Sequence, residues 1–580
     1  MPRSAATNAR EAWLRALELT ASIGKDPTIT FPALVERLGQ RYGDAPALLS
    51  RNENWSYREL ARRARTYAQW TLRQRIRPGD VVGVMLPNSP HYLASWLGIV
   101  RVGAVAALVN TNLVGEALVR SITSVGARHV LADRSFSDAV AAALSRLDPG
   151  IRCWTPDEVE REMDGPPGLL EAAQPTLADR ALYIYTSGTT GLPKAASISH
   201  LRVMQWTHWF AGMMATGPED RTYNCLPLYH SIGGIVAVGA TLVGGGSVVL
   251  RPHFSATRFW DDIVATRSTI FPYIGELCRY LANGPHHPLE TRHQLRLCCG
   301  SGLGADIWER FQQRFAIPHI LEFYAATEGT FSLYNVEGKP GSIGRIPSYL
   351  AHRFPVALIR HDASTGEPVR TPDGTCIRCA AGEAGEAIGE IADGGNRFEG
   401  YVDKADSERK ILRDVFHRGD QWYRTGDLMR RDASGYFHFV DRIGDTFRWK
   451  GENVSTTEVA SILCATPHVR EAVVYGVGIP GTDGRAGMAA IVAEPDFDLA
   501  ECWGAVVDRL PDYARPLFLR LSKAVETTAT FRPMKQQLAR EGFDPGASDD
   551  PIFFSDRTAR TFVPLDAALY RRIVAGEIRL

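Results

Sequence analysis

One loop indicates both the fold and the chemistry of this chain, and it reads Tyr185-Thr186-Ser187-Gly188-Thr189-Thr190-Gly191-Leu192-Pro193-Lys194. The apolar residues 181–185 ahead of it predict a short buried strand, so the loop leaves the end of a sheet. Backbone N–H groups freed by glycine, together with hydroxyl donors, form a pocket for phosphate oxygens, and a lysine adds a mobile positive charge. The loop therefore predicts a phosphate site, and it differs from the Walker loop, in which Ser or Thr directly follows Gly-Lys.

Strand and helix patterns alternate on the N-terminal side of this loop. Residues 81–86 and 103–109 are apolar runs typical of buried strands, and a helical pattern from about Pro90 joins them. A capping box formed by Ser56 and Glu59 predicts the start of another helix. This alternation is typical of an α/β fold with parallel sheets, and a chain of 580 residues is expected to form two to four domains.

Composition argues against several classes of protein. Lys+Arg and Asp+Glu both number 65, and a net charge of zero gives no electrostatic footprint for nucleic acid. The nine cysteines show no repeated metal-ligand spacing, so we interpret the single Cys376–Cys379 pair as incidental. Free, scattered thiols suit a reducing cytoplasm.

The most membrane-like run covers residues 231–250, which carry no charged residue but include six glycines. This composition favours a buried helix followed by a strand over a membrane span. The N-terminus shows no signal-peptide pattern. We expect a soluble, cytoplasmic protein, and peripheral contact with the inner face of the membrane stays open.

Five further motifs follow the loop along the chain: Tyr223–Gly234, Leu297–Gly304, Phe323–Gly329, Tyr423–Leu428 and Gly435–Arg442. Together with the loop they resemble the motifs of the adenylate-forming superfamily, which comprises acyl-CoA synthetases, luciferases and peptide-synthetase adenylation domains. The resemblance implies an α/β fold with a large N-terminal adenylation domain of several subdomains and a small, mobile α/β C-terminal domain. It also implies a carboxylate substrate that is activated with ATP and Mg²⁺.

The resemblance assigns roles to individual residues. It makes Glu328 the magnesium ligand, since hard oxygen ligands suit that ion, and it makes Asp427 the acceptor of hydrogen bonds from both ribose hydroxyls. His230 lines the substrate site, and Gly233 and Gly234 leave room beside the helix for an acyl chain. The implied nucleotide contacts are Tyr185, Thr186, Ser187, Gly188, Thr189, Thr190, Gly191, Lys194, Gly300, Ser301, Gly302, Tyr324, Thr327, Asp427 and Arg442. The implied catalytic residues are Lys194, Thr327, Glu328, Arg448, Arg532 and Lys535.

The C-terminal part narrows the resemblance to one group. The run from Thr446 to Val454, Thr-Phe-Arg-Trp-Lys-Gly-Glu-Asn-Val, resembles the fatty acid transport proteins, also called very-long-chain acyl-CoA synthetases. This resemblance covers nearly the whole chain from about residue 40, without the N-terminal membrane segment of the animal members. It implies domains of residues 1–442 and 443–580 that pivot on Gly444, because glycine absorbs large backbone changes.

Local patterns predict secondary structure within the C-terminal domain. Ser455 and Glu458 form a capping box that opens a helix through about Cys464. Residues 469–477 and 488–492 then read as strands. The domain is therefore expected to be a small α/β unit.

The resemblance also implies a reaction. A long- or very-long-chain fatty acid attacks ATP, forms an acyl adenylate and releases pyrophosphate, and the thiol of coenzyme A then displaces AMP. The protein contributes positioning and charge neutralisation. Two alternatives stay open: an acyl-AMP ligase that loads a carrier protein, and a non-catalytic lipid-binding or uptake component. The sequence does not indicate an oligomeric state.

One catalytic position departs from the pattern of the group. Its C-terminal lysine usually lies in Thr-Gly-Thr-Phe-Lys, whereas this chain reads Thr528-Ala529-Thr530-Phe531-Arg532. Arginine keeps the charge but brings a planar, bulkier fork. We predict that Arg532 neutralises charge on the phosphate, with Lys535 as the alternative, although Lys535 can equally be interpreted as a solvated helix residue. Arg448 is the candidate for the thioester step.

Overall fold

The computed structural model describes residues 8–144, 146, 150–163, 174–187, 193–362, 365–392, 397–450, 452–480, 482, 484–528, 533–578 and 580. Among these residues there is no helix whose length and apolar character would let it cross a bilayer. All nine cysteines lie in the described parts as free thiols, Cys376 and Cys379 included.

The chain forms two compact units, and its fold is α/β with a large N-terminal domain and a smaller C-terminal domain, as predicted. The first unit comprises Met1–Leu303, Glu309–Lys339 and Arg397–Lys410. The second unit comprises Gly304–Trp308, Pro340–Asn396 and Ile411–Leu580. The division into domains of residues 1–442 and 443–580 stays a prediction.

The described residues form helices and strands throughout the chain. The helices are α1 (Ala9–Thr20), α2 (Phe31–Tyr42), α3 (Tyr57–Arg73), α4 (Pro90–Arg101), α5 (Gly115–Thr123), α6 (Ser137–Leu144), α7 (Pro156–Glu162), α8 (His200–Met214), α9 (Val238–Val243), α10 (Phe259–Thr266), α11 (Gly275–Asn283), α12 (Ala305–Arg314), α13 (Lys404–Glu408), α14 (Thr456–Cys464), α15 (Leu499–Arg509), α16 (Lys535–Glu541) and α17 (Ala567–Val574).

The strands of the first unit are β1 (Pro46–Leu49), β2 (Asn54–Ser56), β3 (Val81–Met85), β4 (Val105–Leu108), β5 (His129–Ala132), β6 (Arg152–Trp154), β7 (Arg180–Ser187), β8 (Pro193–Ser199), β9 (Arg221–Asn224), β10 (Ser247–Leu250), β11 (Ile270–Ile274), β12 (Leu297–Ser301), β13 (Ile320–Ala325) and β14 (Ser332–Asn335). The strands of the second unit are β15 (Val356–Ile359), β16 (His361–Asp362), β17 (Glu367–Pro368), β18 (Ala384–Glu390), β19 (Ile411–Arg413), β20 (Gln421–Arg431), β21 (Phe437–Arg442), β22 (Phe447–Trp449), β23 (Glu452–Val454), β24 (Val469–Val477), β25 (Ala486–Ala493), β26 (Phe518–Leu521), β27 (Ile552–Asp556) and β28 (Thr561–Pro564).

Parallel strands dominate the two sheets of the first unit. Within the described ranges their strand orders are β6-β5-β3-β4-β7-β8 and β14-β13-β12-β11-β9-β10-β1-β2. β3, α4 and β4 form the predicted strand–helix–strand unit, in which β3 and β4 pair in parallel. Ser89 accepts the N–H of Tyr92 and Pro90 occupies the first turn of α4, so the local sequence starts the helix at the expected place. The prediction of an α/β fold with parallel sheets is confirmed.

Residues 231–250 form buried structure, as predicted. A π-helix (Ile232–Ala237) leads into α9, and β10 follows between β9 and β1 in the larger sheet. The sequence predicted the helix and the strand. It did not predict the π-helical turn, which is common near functional sites.

Antiparallel pairing dominates the second unit. One sheet has the order β15-β18-β20-β19 with β21 paired to β20, and another has the order β24-β25-β26-β27-β28. Ser455 accepts the N–H of Glu458 at the start of α14, and the strands predicted at 469–477 and 488–492 are β24 and β25. The local predictions for this part of the chain are therefore confirmed.

Candidate active site

The predicted phosphate loop joins β7 to β8 in an antiparallel hairpin. Thr186 lies opposite Lys194 in its register, and Ser187 lies opposite Pro193. The predicted contacts Gly188, Thr189, Thr190 and Gly191 lie outside the described residues. The side chain of Tyr185 is in the core, where its hydroxyl donates to the carbonyl of Ser121. Tyr185 therefore anchors β7, and a nucleotide contact from this residue would have to come from its backbone.

The lysine of this hairpin already has an ionic partner. The Nζ of Lys194 lies 2.8 Å from Oδ1 of Asp406, and both side chains are largely buried, at 19% and 11% exposure. Arg409, from the same short segment as Asp406, pairs with that carboxylate from the solvent side. Burial raises the pKa of Asp406, but Lys194 and Arg409 outweigh it, and the net effect lowers that pKa. Asp406 is thus an ionised counterion of Lys194.

Tyr401 connects two of the predicted motifs. Its backbone pairs with Ala196 on β8, and its hydroxyl donates to Oε1 of Glu328 at 2.5 Å. Glu328 and Tyr401 are both buried. Burial and the neighbouring Glu328 carboxylate raise the pKa of Tyr401 above its usual value, so the phenol stays protonated as a donor. Tyr401 therefore joins the strand that follows the phosphate loop to the carboxylate of the Glu328 motif.

Tyr401 and Asp406 belong to a segment, residues 397–410, that the sequence did not identify as functional. Its backbone pairs with β8: the N–H of Ser197 donates to Gly400 at 2.9 Å, and the N–H of Val402 donates to Ala195 at 3.0 Å. Glu399 accepts from Ser199 at 2.6 Å. The Gly-Tyr pair at 400–401 was the available signal, and it is too short to be specific.

A buried arginine positions the loop that carries Thr327 and Glu328. One guanidinium nitrogen of Arg202 donates to the carbonyls of Thr327 and Gly329, each at 3.1 Å. A second nitrogen donates to the carbonyl of Arg397 at 2.6 Å. Arg202 therefore ties the Thr327–Gly329 loop to the start of segment 397–410. It was not predicted, because an arginine in a helix carries no motif signal.

His230 is the predicted substrate residue of the second motif. The residue is half-buried, and desolvation of its ring lowers the pKa of His230 to about 4, so the imidazole is neutral at pH 7. Its Nε2 is buried without a hydrogen-bond partner among the described residues. The next residue, Ser231, places its Oγ 3.5 Å from Oγ1 of Thr327. The second motif therefore adjoins the loop of Glu328, and it offers a ring nitrogen that a polar ligand group would satisfy.

The interpretation of Gly233 and Gly234 as open space for an acyl chain is wrong at the positions of these glycines. A Cβ at Gly233 would lie 2.5 Å from the carbonyl oxygen of Pro227, and one at Gly234 would overlap the carbonyl of Leu228. The space beside both residues is filled by the chain of residues 226–228. The glycines allow the π-helix to pack closely on that chain, which is what positions His230 at its start.

The predicted adenine segment ends β12. Gly300 packs against Tyr273, and Gly302 adopts a φ of +87°, which favours glycine. Glu322 on β13 accepts hydrogen bonds from Tyr273, from the N–H of Gly302 and from the N–H of Leu303, the last at 3.2 Å. The buried carboxyl group of Glu322 therefore fixes the Gly302 turn. Two residues further along β13, the ring of Tyr324 lies 5.9 Å from that of Phe331.

Two predicted ribose residues meet in the second unit. Asp427 on β20 lies opposite Arg442 on β21 in the strand register, and Nε of Arg442 is 3.2 Å from Oδ1 of Asp427. The carboxylate side chain is 10% exposed, whereas the arginine is 46% exposed. The structure thus brings together two residues that the sequence analysis assigned to one ligand group.

The remaining predicted residues of the second unit are Gly444, Arg448, Lys535 and Arg532. Gly444 has a φ of +97° with no atom near its missing Cβ, so glycine is favoured there. Arg448 is exposed on β22. Lys535 begins α16 and is not a solvated residue, because its Nζ donates to Thr456 at 2.6 Å and lies 3.5 Å from Asp445. Arg532 lies outside the described residues.

The described residues contain no group of three or more His, Cys, Asp or Glu side chains that could hold a metal ion by themselves. This suits Mg²⁺ at a triphosphate, since that ion is usually bound by one or two carboxylates together with phosphate oxygens. Glu328 and the hydroxyl of Thr327 supply hard oxygen donors of the right kind. The residues present therefore fit a magnesium ion that arrives with ATP.

Comparison with known proteins shows the family to which the chain belongs. Residues 35–391 match the AMP-binding enzyme family, and residues 458–532 match the C-terminal domain of AMP-binding enzymes. Among solved structures, an anthranilate CoA ligase in complex with anthranoyl-AMP aligns with a TM-score of 0.77 at 22% identity, covering 90% of this chain and 98% of that chain. ATP-bound MatB from Rhodopseudomonas palustris aligns with a TM-score of 0.75 at 24% identity, covering 88% and 99%. The chain belongs to the AMP-binding enzyme family, the adenylate-forming class whose members use ATP, Mg²⁺ and, as ligases, coenzyme A.

Curated relatives indicate which group within this family the chain resembles. The chain is 41% identical to long-chain fatty acid transport protein 1 of Mus musculus, over 95% of this chain and 88% of the relative. It is 39% identical to the medium/long-chain-fatty-acid–CoA ligase FadD6 of Mycobacterium tuberculosis, over 93% and 90%. The predicted resemblance to the fatty acid transport protein group is confirmed.

Proposed function

We propose that this enzyme activates long- or very-long-chain fatty acids with ATP and transfers the acyl group to coenzyme A. The observation that carries the proposal is the Tyr401 bridge. The backbone of Tyr401 pairs with β8 of the phosphate-loop hairpin, and its hydroxyl donates to Glu328, in a motif far along the chain. A phosphate-binding hairpin and a carboxylate of the kind that suits magnesium are thereby both tied to Tyr401.

The first unit supplies the groups for the phosphates and the acid. Thr186, Ser187 and Lys194 hold the β- and γ-phosphates, together with Thr189 and Thr190. Glu328 and Thr327 would hold Mg²⁺, which supplies charge neutralisation at the phosphate oxygens when bound. The neutral ring of His230 lies at the start of the π-helix, where it borders the fatty acid carboxylate. Gly300, Ser301, Gly302 and Tyr324 border the adenine.

The second unit supplies the groups for the ribose and for the second half-reaction. Asp427 and Arg442 hold the ribose, and Arg448 serves thioester formation. Arg532, or Lys535 in its place, neutralises charge on the phosphate during adenylation. Residues 443–580 rotate about Gly444 between the two half-reactions, a movement for which the positive φ and open surroundings of this glycine are suitable.

The proposed reaction takes place in two steps. A carboxylate oxygen of the fatty acid attacks the α-phosphorus of ATP, the bond to the β-phosphate oxygen breaks, and pyrophosphate leaves with the electron pair. The thiolate of coenzyme A then attacks the acyl carbon, and AMP leaves. The protein positions the reactants and neutralises the charge that develops on phosphate oxygens.

The names of the relatives support the fatty acid as substrate, since one is a medium/long-chain-fatty-acid–CoA ligase and others are long-chain fatty acid transport proteins. The proposed location is the cytoplasm, with contact at the inner face of the membrane into which such acids partition. An acyl-AMP ligase that loads a carrier protein and a non-catalytic lipid-binding component remain as rivals.

The test is ATP–pyrophosphate exchange across saturated acids from acetate to very long chains, followed by thioester formation with and without coenzyme A. We expect the highest catalytic efficiency with long or very long chains and product release that depends on coenzyme A. Exchange without transfer to coenzyme A would favour the carrier-protein alternative. Absence of exchange with every acid would favour the lipid-binding alternative, and a preference for acetate would overturn the chain-length assignment.

A further inference from the structure

Segment 397–410 carries a charged group that none of the predicted motifs includes. Asp406 lies on α13, which Asp403 caps by accepting the N–H of Ala405 at 2.8 Å. The pairing of Gly400 and Val402 with β8 places this short helix beside the first residues of that strand. Asp406 consequently meets Lys194 at 2.8 Å.

We propose that Asp406 is a competing counterion, which Lys194 leaves for phosphate oxygens when ATP binds, so that Asp406 sets the affinity for the nucleotide. This inference rests on the proposed function, because it takes Lys194 as a phosphate ligand. A lysine suits such an exchange, since its ammonium is a compact charge on a flexible stem. The several anionic oxygens of a triphosphate offer it more charge than one carboxylate does.

Burial makes the exchange energetically significant. Lys194 and Asp406 are 19% and 11% exposed, so water screens their attraction much less than it screens a surface pair. Breaking this pair is a cost that the free energy of nucleotide binding must offset. The resting enzyme thereby keeps Lys194 in place and neutralised in the absence of ATP.

Arg409 makes the exchange reversible. It contacts the same carboxylate as Lys194, and its side chain is 66% exposed. When Lys194 moves to phosphate, Asp406 therefore keeps one cationic partner and is not left as an uncompensated, buried charge. Of these three residues, only the lysine changes its partner when the nucleotide binds.

The test measures the Kd of ATP with Mg²⁺ by calorimetry on the full chain. Asp406→Asn removes the competing charge, and we expect the Kd to fall about 3- to 10-fold. The gain should disappear in the Lys194→Ala background, because the lysine is then absent. Asp403→Asn is the matched control: it removes a carboxylate from the same helix, keeps the cap, and should leave the Kd unchanged.

A second variant keeps the inference testable if Asp406→Asn folds poorly. Arg409→Ala changes an exposed side chain, and it should raise the Kd for ATP about threefold because Asp406 then holds Lys194 more strongly.

Weaker binding of ATP by Asp406→Asn would overturn the inference and make Asp406 a support for Lys194. A gain that persists without Lys194 would also overturn it. Pyrophosphate exchange by the wild type is measured separately, so a failure of the proposed function is distinguishable from a failure of the counterion role.

Discussion

The candidate residues of the first unit are held differently from those of the second. In the first unit, Lys194 and Glu328 are largely buried, and segment 397–410 supplies a partner to each. In the second unit, Asp427 pairs with an arginine that is 46% exposed, and Arg448 is exposed. Buried, paired groups are preorganised and expensive to disturb, whereas exposed groups can change partners at low cost because water solvates them. A group of the first unit therefore changes its partner only when a ligand offsets the cost, as proposed for Lys194, whereas exposed groups of the second unit readjust more easily.

The largest expected effects come from the two ligand carboxylates. Glu328→Ala should lower the rate of adenylate formation by about two decades and Asp427→Ala by about one, since a charged hydrogen bond typically contributes about 1.5–3 kcal/mol. The larger value belongs to Glu328, because its loss also leaves the buried hydroxyl of Tyr401 without that acceptor.

Pyrophosphate exchange with a long-chain acid measures both effects, and melting temperature checks that the variants fold. Glu309→Ala, a change at an exposed glutamate of the first unit, is the control and should behave as wild type. Wild-type exchange by either carboxylate variant would remove the role assigned to that residue.

The C-terminal cations test whether the second unit readjusts between half-reactions. Arg532→Ala should slow adenylation about tenfold or more, while thioester formation from supplied acyl adenylate persists. Lys535 is held by Thr456 and Asp445, so it must leave both partners before it could contact a phosphate.

Each alanine variant is assayed in the two half-reactions separately. If only Lys535→Ala slows adenylation, the catalytic role moves to Lys535. Normal adenylation by both variants would mean that this segment takes no part in the first step.

Removing the Tyr401 hydroxyl probes preorganisation in the first unit. Tyr401→Phe keeps the ring but breaks the hydrogen bond to Glu328, and we expect the KM for ATP to rise about fivefold, as loss of about 1 kcal/mol predicts. Tyr349→Phe, at a residue that is 49% exposed, is the matched control. An unchanged KM would show that the bridge does not position the phosphate site.

The sequence predicted elements that depend on local patterns and missed those that depend on long-range pairing. The β3–α4–β4 unit and α14 follow from caps and apolar periodicity, and both are present as predicted. Tyr401 and Asp406 could not be predicted, because backbone pairing with β8, and not a spacing in the chain, brings them to Lys194 and Glu328. The interpretation of Gly234 failed for a similar reason: sequence shows that a side chain is missing but not that Leu228 fills the space.

The last expected effect is on stability and not on activity, and it concerns Glu322, whose carboxyl fixes the Gly302 turn. Burial raises its pKa to about 8, although hydrogen bonds from Tyr273, Gly302 and Leu303 act in the opposite direction. An unfolded glutamic acid ionises near pH 4.5, whereas the folded one keeps its proton to about pH 8. The stability that this group contributes is therefore fully present below pH 4.5 and is lost as the pH rises towards 8.

Glu322→Gln does not titrate and keeps an amide in place of the protonated carboxyl, so it isolates this contribution. We expect the free energy of unfolding of the variant, relative to wild type, to rise by about 2–4 kcal/mol between pH 5.5 and 8.5. The melting temperature should show this as a difference of a few degrees that grows with pH. Glu290→Gln is the control: burial raises the pKa of Glu290, but Arg314 and its other partners bring it to about 2, so its carboxylate is ionised throughout this range. The contradicting result is a free energy of unfolding of Glu322→Gln, relative to wild type, that does not change with pH, as expected for Glu290→Gln. It would show that Glu322 is ionised at neutral pH and holds the Gly302 turn as a carboxylate.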